Sequence, residues 1–388
     1  MRGDLVERVR RRLAVDGADV RPSAVADAVR AEIGGVAAHG DVLAALHTLR
    51  DELEGVGPLE KLVSDPAVTD VLVTAPDQVW ADGPEGLRRT SVTFPDEPAV
   101  RRLAQRLALA AGRRLDDAQP YVDGWLPGTD SDRQVRLHAV LPPVAPDGTC
   151  LSLRVLRPAT YDLATLTRLG TLDAGTEAIL AAVVAARLAV LVTGCTGSGK
   201  STLLGALLGA VPHAERIVCV EDAGELRPVH PQFVRLLARP ANVEGVGEVT
   251  VCDLVRQGLR MRPDRIVVGE VRGKEVCDLL NALNTGHDGG AGTLHANSPA
   301  EVPARLEALA ALGGMPREAL HSQLAAAVQV VLHMRRSAGG GRVLAEIGVP
   351  RRARGEVEVV PAWRDGQWAR YGDALRAALD DRGVRCEC

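Results

Sequence analysis

The stretch Gly194-Cys-Thr-Gly-Ser-Gly-Lys-Ser-Thr202 decides the fold. It follows the apolar run Ala189–Val192 and precedes the helix-forming run Leu203–Leu208. A G-x-x-x-x-G-K-S/T pattern between a strand and a helix is typical of a phosphate-binding loop, or P-loop. The glycines let backbone N–H groups point at phosphate oxygens, and the helix N-terminus adds partial positive charge. The stretch therefore predicts an α/β domain that binds the phosphates of a nucleotide.

Two side chains of this loop carry predicted chemistry. Lys200 supplies a cation to the β- and γ-phosphates, and the Ser201 hydroxyl can ligate Mg²⁺. A glycine-rich turn that matches by chance is the alternative, but the chain contains only three lysines, which makes a chance match rare. The predicted nucleotide-binding residues of the loop are Gly194, Cys195, Thr196, Gly197, Ser198, Gly199, Lys200, Ser201 and Thr202.

Acidic residues end the next predicted strand. The β-branched run Arg216–Glu221 is followed directly by Asp222. Ligands gather at the carboxyl edge of such sheets, so both acids are candidates for the site. Acids commonly follow strands, however, and this signal has weight only together with the P-loop upstream.

A further acid lies in the segment Asp264–Arg272, which has the form of a Walker-B strand. Gly269 occupies the position where many nucleotide triphosphatases place a Mg²⁺-binding Asp, and Glu270 follows it. Glu270 could hold the metal through water, or it could orient the attacking water. It could instead merely cap the next helix. With the P-loop upstream the catalytic role is favoured, and Glu221 stays an alternative for the group that positions the water.

Two histidines lie in the glycine-rich segment Thr285–Asn297. A lone His is more often structural than functional. His295, however, ends a predicted strand of the same sheet, which places it near the γ-phosphate as a phosphate sensor or donor. His287 and His295 could also ligate a metal, but no third ligand nearby fits.

Composition limits the class of protein. The 388 residues suffice for two or three domains, and 46% are hydrophobic, enough for a sizeable core. The formal net charge is -4, so no basic excess points to direct binding of nucleic acid. Seven cysteines without a repeated spacing make a poor disulfide framework. Reduced thiols predict a cytoplasmic protein.

Membrane attachment is predicted to come only through partners. The N-terminal residues are charged and do not form an apolar signal segment. The most hydrophobic stretch, Ala178–Val192, is interrupted by Arg187 and is shorter than the ~18 residues of a spanning helix. We interpret it as a buried helix followed by a buried strand.

The pattern along the chain predicts four segments. Residues 1–56 are helical, with helices from about residue 5, residue 22 and residue 41. Residues 57–157 form a small α/β domain with a helix near 98–112, residues 158–168 a connector, and residues 169–388 the P-loop domain with a mostly parallel sheet. Predicted strands cover residues 71–74, 78–81, 91–94, 135–140, 151–156, 189–193, 216–221, 265–270, 291–295, 329–334, 343–347 and 357–360, and a terminal helix covers 373–381.

The order of these motifs resembles that of the type II/IV secretion-system ATPase superfamily (GspE/PilT-like), and within it the TadA/CpaF-like tight-adherence (Flp) pilus branch. The most telling stretches are Arg260–Arg272, Asn284–Gly289 and Thr293–Pro299. The resemblance covers residues 57 to 335, and its upstream part rests on Gly57–Glu60, Gly112–Arg114, Pro120–Asp123 and Arg136–Pro143.

This resemblance implies a homohexamer in which a PAS-like α/β domain is linked to a RecA-like ATPase domain. ATP with Mg²⁺ would bind between the two domains. Lys200, Glu221, Glu270 and His295 would be catalytic, and Ser201 and Glu270 would hold the metal. Basic residues from neighbouring subunits would contact phosphate, and the candidates by motif position are Arg235, Arg239 and Arg256, with Arg136 and Arg154 from the N-terminal domain.

The implied function is a cytoplasmic motor that lies peripherally at the inner face of the cytoplasmic membrane. It would act on inner-membrane platform proteins and drive assembly of a type IV (Flp/Tad) pilus or protein secretion, with no direct contact to nucleic acid. Two alternatives stay open. One is an ATPase of conjugative transfer, and the other is a nucleotide-binding scaffold that does not hydrolyse ATP.

Overall fold

The computed structural model describes residues 8, 12, 22–33, 55–83, 85–127, 134–156, 160–242, 244–337 and 339–385. The chain divides into two units, residues 1–157 and residues 158–388, and each is described by itself. Within the first unit, helix α1 (Pro22–Ile33) agrees with the second predicted N-terminal helix. Residues 8 and 12 of the first predicted helix are helical, and the third, from residue 41, lies outside the described residues.

A six-stranded antiparallel sheet forms the centre of the first unit, with the order β3-β2-β1-β6-β5-β4. Its strands are β1 (Asp70–Ala75), β2 (Gln78–Asp82), β3 (Arg88–Arg89), β4 (Tyr121–Leu126), β5 (Gln134–Val140) and β6 (Cys150–Leu156). Side chains alternate between buried and more exposed along β5 and β6, as expected of a sheet with one covered face.

Helix α3 (Glu97–Ala110) covers this sheet, and the short helix α2 (Glu60–Ser64) precedes β1. The Asp96 carboxylate starts α3 by accepting a hydrogen bond from the Ala99 N–H at 2.8 Å. Leu103 and Leu107 lie on the buried face of α3, in one core with residues of the strands. Burial of this apolar stripe is what holds the helix on the sheet.

One strand prediction in this unit was wrong, and the strands β3 and β4 were not predicted. Residues 91–94 form a loop, because the Thr90 and Phe94 N–H groups make single hydrogen bonds to Val79 O (2.8 Å) and Pro76 O (2.7 Å) and no ladder follows. Strand β4 was not predicted as a strand, because Asp123 and Gly124 interrupt its apolar alternation.

A nine-stranded sheet forms the centre of the second unit, with the order β15-β14-β13-β12-β7-β11-β10-β8-β9. The six strands from β12 to β9 are parallel, and β13, β14 and β15 extend the sheet antiparallel beyond β12. The strands are β7 (Val190–Thr193), β8 (Ile217–Glu221), β9 (Phe233–Leu237), β10 (Arg265–Val271), β11 (Ala291–Leu294), β12 (Val330–Arg336), β13 (Arg342–Ala353), β14 (Glu356–Arg364) and β15 (Gln367–Trp368).

Helices cover both faces of this sheet, which makes two hydrophobic layers. One layer contains α4 (Leu163–Arg168), α5 (Ala174–Ala185), α6 (Lys200–Gly209) and α11 (Gly372–Asp380). The other contains α7 (Val251–Gly258), α8 (Glu275–Leu283), α9 (Val302–Leu312) and α10 (Arg317–Ala327). Val190 and Val192 of β7 face the first layer and Leu191 faces the second, so β7 is buried on both sides.

Helix α4 lies in the segment that was predicted to be a connector. Asp162 caps it by accepting from the Thr165 N–H at 2.7 Å. Leu163 and Leu166 are buried in the core of the second unit. We therefore assign residues 163–168 to that unit and not to a connector.

Candidate active site

The loop from Gly194 to Gly199 connects the carboxyl end of β7 to the N-terminus of α6. Position 194 requires glycine, because its φ is 144° and a Cβ there would lie 2.4 Å from the Met334 carbonyl oxygen. The Ser198 Oγ is buried and makes no hydrogen bond. An unsatisfied hydroxyl beside a helix N-terminus fits an anion in the loop, since both favour a bound oxygen.

Lys200 is buried at the start of α6, and its ammonium group lies against the loop. Its Nζ donates to the Cys195 carbonyl oxygen at 3.0 Å and lies 3.5 Å from His295 Nδ1. Burial lowers the pKa of Lys200, and the charge of Glu270 opposes this shift. A phosphate would stabilise the cation in the same way, so the pocket favours an anion here.

The Ser201 hydroxyl donates a hydrogen bond to Glu225 Oε2 at 2.9 Å. A turn after β8 places this Glu, and the turn is held by Glu221, whose Oε1 accepts from the N–H groups of Glu225 and Leu226 at 3.1 Å each. Glu225 was not among the predicted site residues. The sequence shows that Glu225 lies four residues after Glu221, but only the folded turn shows that it accepts the hydrogen bond of Ser201.

Glu221 is 3% exposed, and its Oε2 is buried without a hydrogen-bond partner. Burial raises the pKa of Glu221 to about 8, the charge of Glu225 adds to this shift, and the two backbone N–H groups oppose it. A Cβ at position 269 would lie 2.5 Å from Glu221 Cγ. Glycine therefore stands where other nucleotide triphosphatases have Asp because the Glu221 side chain fills that space.

Glu270 near the end of β10 faces His295, which directly follows β11. Glu270 Oε1 lies 2.6 Å from His295 Nε2, and Arg272 pairs with the same carboxylate. Burial and the nearby Lys200 lower the pKa of His295, while Glu270 raises it. The structure thus brings Lys200, His295 and Glu270 into one chain of contacts.

The predicted arginines have different surroundings. Arg235 lies beside the acidic turn, where its charge opposes the raised pKa of Glu221, and its Nη1 is buried without a hydrogen-bond partner. Arg239 donates to the Gly247 carbonyl oxygen at 2.9 Å, and Arg256 pairs with Asp278 at 3.0 Å. In the first unit, Arg136 pairs with Asp123 at 2.8 Å and Arg154 with Asp70 at 3.0 Å. Their roles at phosphate stay predictions.

A cavity of about 370 Å³ opens beside the loop. Its lining includes Gly194, Cys195 and His295 from the site, together with Asn297, Glu301 and Arg305. Its volume falls within the range of ligand pockets, about 300–1,000 Å³.

The oxygen donors of the site suit Mg²⁺, which prefers hydroxyl and carboxylate ligands and keeps several waters. Ser201 and Glu225 supply such a pair. His287 contacts the Pro263 carbonyl oxygen through Nδ1 at 3.2 Å. Across the described ranges, no group of three or more His, Cys, Asp or Glu residues is placed to hold a metal by itself.

The family model of the type II/IV secretion system protein matches residues 52–340. The chain belongs to this family. A Mycobacterium tuberculosis (strain H37Rv) protein, provisionally named a conjugal transfer protein, is 68% identical over 324 residues, which are 83% of this chain and 92% of that protein. The type IV secretion system protein PtlH of Bordetella pertussis is 31% identical over 303 residues, which are 71% of this chain and 87% of PtlH.

The fold agrees with a solved structure. The pilus retraction motor PilT with bound ADP matches with a TM-score of 0.53 at 21% identity, covering 83% of this chain and 86% of that chain. At this identity the likeness concerns the fold. The predicted fold class and superfamily are confirmed, and the tight-adherence branch stays a prediction. Among the described residues, no helix is long and apolar enough to cross a membrane.

Proposed function

We propose that this chain hydrolyses ATP and acts as a motor of a type II/IV secretion machine. The observation that carries the proposal is the convergence of Lys200, His295 and Glu270 beside the P-loop, with Ser201 and Glu225 on the same edge of the sheet. A loop that only bound nucleotide would not need an acid and a histidine in contact with its lysine.

Each of these side chains has a role in phosphoryl transfer. Lys200 and the backbone N–H groups of the loop bind the phosphates and offset the charge that develops on them. Ser201 and Glu225 would hold Mg²⁺, which when bound neutralises phosphate charge. Glu270 orients the attacking water, and His295 holds the Glu270 carboxylate through Nε2 while its Nδ1 lies beside Lys200.

Glu270 is better placed than Glu221 to position the water. Its side chain is 21% exposed, so water can reach it, whereas Glu221 is 3% exposed. Glu221 also uses one oxygen to hold the acidic turn, and its raised pKa keeps it protonated near neutral pH. We assign Glu221 as a positioning residue, which acts through Glu225.

The test is phosphate release from Mg·ATP by the purified full-length protein. Lys200→Ala and Glu270→Gln should each lower kcat by at least about a hundredfold, because each removes a charge from the transition state. Glu221→Gln should retain more activity than Glu270→Gln. Glu318→Gln, an exposed acid on α10, is the control. Wild-type turnover in Lys200→Ala would show that the P-loop is not a hydrolytic site.

We propose further that the chain works as a homohexamer at the inner face of the cytoplasmic membrane. There it would drive assembly of a tight-adherence (Flp) pilus, or secretion, through inner-membrane platform proteins. The support is the resemblance of Arg260–Arg272 and Thr293–Pro299 to that branch. Deletion of the gene should abolish surface pilin filaments, and the wild-type gene but not the Lys200→Ala gene should restore them.

Conjugal transfer is the second candidate, and the name of the mycobacterial relative at 68% identity favours it. The same deletion strain separates the two functions. Lost plasmid transfer with intact filaments would support conjugation. Lost filaments with normal transfer would support the pilus.

A further inference from the structure

Two arginines of the β12–β13 hairpin contact the backbone of the P-loop. Arg336 and Arg342 are paired across the hairpin. The Nε of Arg336 donates to the Gly197 carbonyl oxygen at 3.4 Å, and the Nε of Arg342 donates to the same oxygen at 3.1 Å. A Cβ on Gly197 would lie 3.3 Å from Arg336 Nη2. Both guanidinium groups are therefore fixed at the middle of the loop, and both are exposed.

Among the described residues, neither guanidinium has a counter-ion, since no carboxylate there lies within 4.0 Å of Arg336 or Arg342. Other arginines of the same strands are paired: Arg335 lies 3.1 Å from Asp365, and Arg364 lies 2.7 Å from Glu346. Two cations that share one carbonyl oxygen repel each other, and an anion between them would relieve this repulsion.

We propose that Arg336 and Arg342 bind the phosphate chain of the nucleotide held in loop 194–202, from the same subunit as the loop. The inference rests on the proposed function, since it needs a nucleotide in the P-loop. A guanidinium has five N–H donors, and the bond to Gly197 uses one, so the Nη groups stay available for phosphate oxygens. The planar fork of Arg suits these oxygens better than a point charge does.

The phosphate chain is favoured over the base because the atom that anchors both arginines belongs to the loop that cradles phosphates. The alternative is that the pair only stabilises the loop conformation. A purely structural pair would change the stability of the nucleotide-free protein without a specific effect on polyphosphate affinity.

The experiment measures the Kd of a fluorescent ADP analogue for the purified full-length protein, and its displacement by inorganic tripolyphosphate. The variants are Arg336→Gln, Arg342→Gln and the double variant. Each single change should raise the Kd of the ADP analogue and the inhibition constant of tripolyphosphate by about tenfold. This is the effect expected for a lost charge-assisted hydrogen bond. Arg335→Gln is the matched control, since this neighbour on β12 pairs with Asp365 instead.

Thermal unfolding without nucleotide tests the structural alternative. The inference holds if the double variant loses affinity for both ligands while its nucleotide-free Tm stays close to that of Arg335→Gln. The inference is overturned if the Kd of the ADP analogue and the inhibition constant of tripolyphosphate are both unchanged. It is also overturned if ADP binding weakens while tripolyphosphate binding does not. Lys200→Ala keeps the two proposals apart: if it binds ADP like the wild type, the P-loop assignment itself fails.

Discussion

At the scale of single residues, Glu225 is the acid that the structure adds to the site. Its carboxylate accepts a hydrogen bond from the Ser201 hydroxyl at 2.9 Å. The Glu221 carboxylate holds the turn that places Glu225 there. Glu225→Gln should raise the Mg²⁺ concentration that half-maximally tightens binding of fluorescent ADP, by about tenfold, because a neutral amide is a poorer ligand for a hard cation. Glu248→Gln, an exposed acid, is the control. An unchanged Mg²⁺ dependence would remove Glu225 from the metal site.

At the same scale, the buried His333 leads to a prediction on how stability depends on pH. It is 8% exposed, its Nδ1 lies 3.0 Å from Thr193 Oγ1, and burial lowers its pKa, with a further contribution from Arg335. The unfolded chain takes up this proton near pH 6.5 and the folded chain only at lower pH, so acid favours the unfolded state. The free energy of unfolding should therefore fall as the pH drops from about 7 to about 5.

Tm measured between pH 7 and pH 5 tests this prediction. His333→Gln should show a smaller fall in Tm over this window than the wild type does, even if its Tm at pH 7 is lower. His213→Gln, a change at an exposed histidine, should leave the slope unchanged. If the slopes of the His333→Gln variant and the wild type coincide, the buried imidazole does not titrate in this window.

At the scale of elements, helix α4 provides a direct comparison of two leucines. Leu166 is 2% exposed in the core, whereas Leu169, just after the helix, is 61% exposed. Leu166→Ala should lower the free energy of unfolding by about 2–5 kcal/mol, the usual cost of a buried Leu truncation. Leu169→Ala should change it little. Chemical denaturation of both variants measures the difference, and equal small effects would mean that residues 163–168 are a connector after all.

The elements also show what the sequence could predict. Strands β7, β8, β10 and β11 were predicted because continuous apolar runs identify strands buried on both faces. Strand β9 was not predicted, since Arg235 interrupts its apolar run at the edge of the sheet. Helix α4 was missed because its two buried leucines are too few to set a periodic pattern.

At the scale of the whole molecule, the site residues too could be predicted only where a local sequence pattern identifies them. Lys200 and Ser201 were predictable because the P-loop is a local pattern with a local mechanism. The contacts of Arg336 and Arg342 with Gly197 join residues that are 139 and 145 positions apart, so no local sequence pattern predicts them. Pairings of this kind follow from the order of the strands, which places β12 beside β7.

The division of the cores leads to the last prediction. All buried residues of the first unit's hydrophobic cluster lie between residues 56 and 155, and those of the two second-unit clusters lie between 163 and 379. Each core is thus built from one unit, so residues 158–388 expressed alone should fold cooperatively. They should also bind fluorescent ADP, because the contacts of Lys200 and Ser201 described above lie within this unit.

Circular dichroism melting and an ADP titration of this fragment test both expectations, with its Lys200→Ala form as the control for binding. A cooperative transition with ADP binding that Lys200→Ala abolishes is the expected result. A fragment without a cooperative transition would mean that the second unit needs the first in order to fold. A folded fragment that fails to bind ADP, when the full-length chain binds it, would mean that the second unit does not suffice for nucleotide binding.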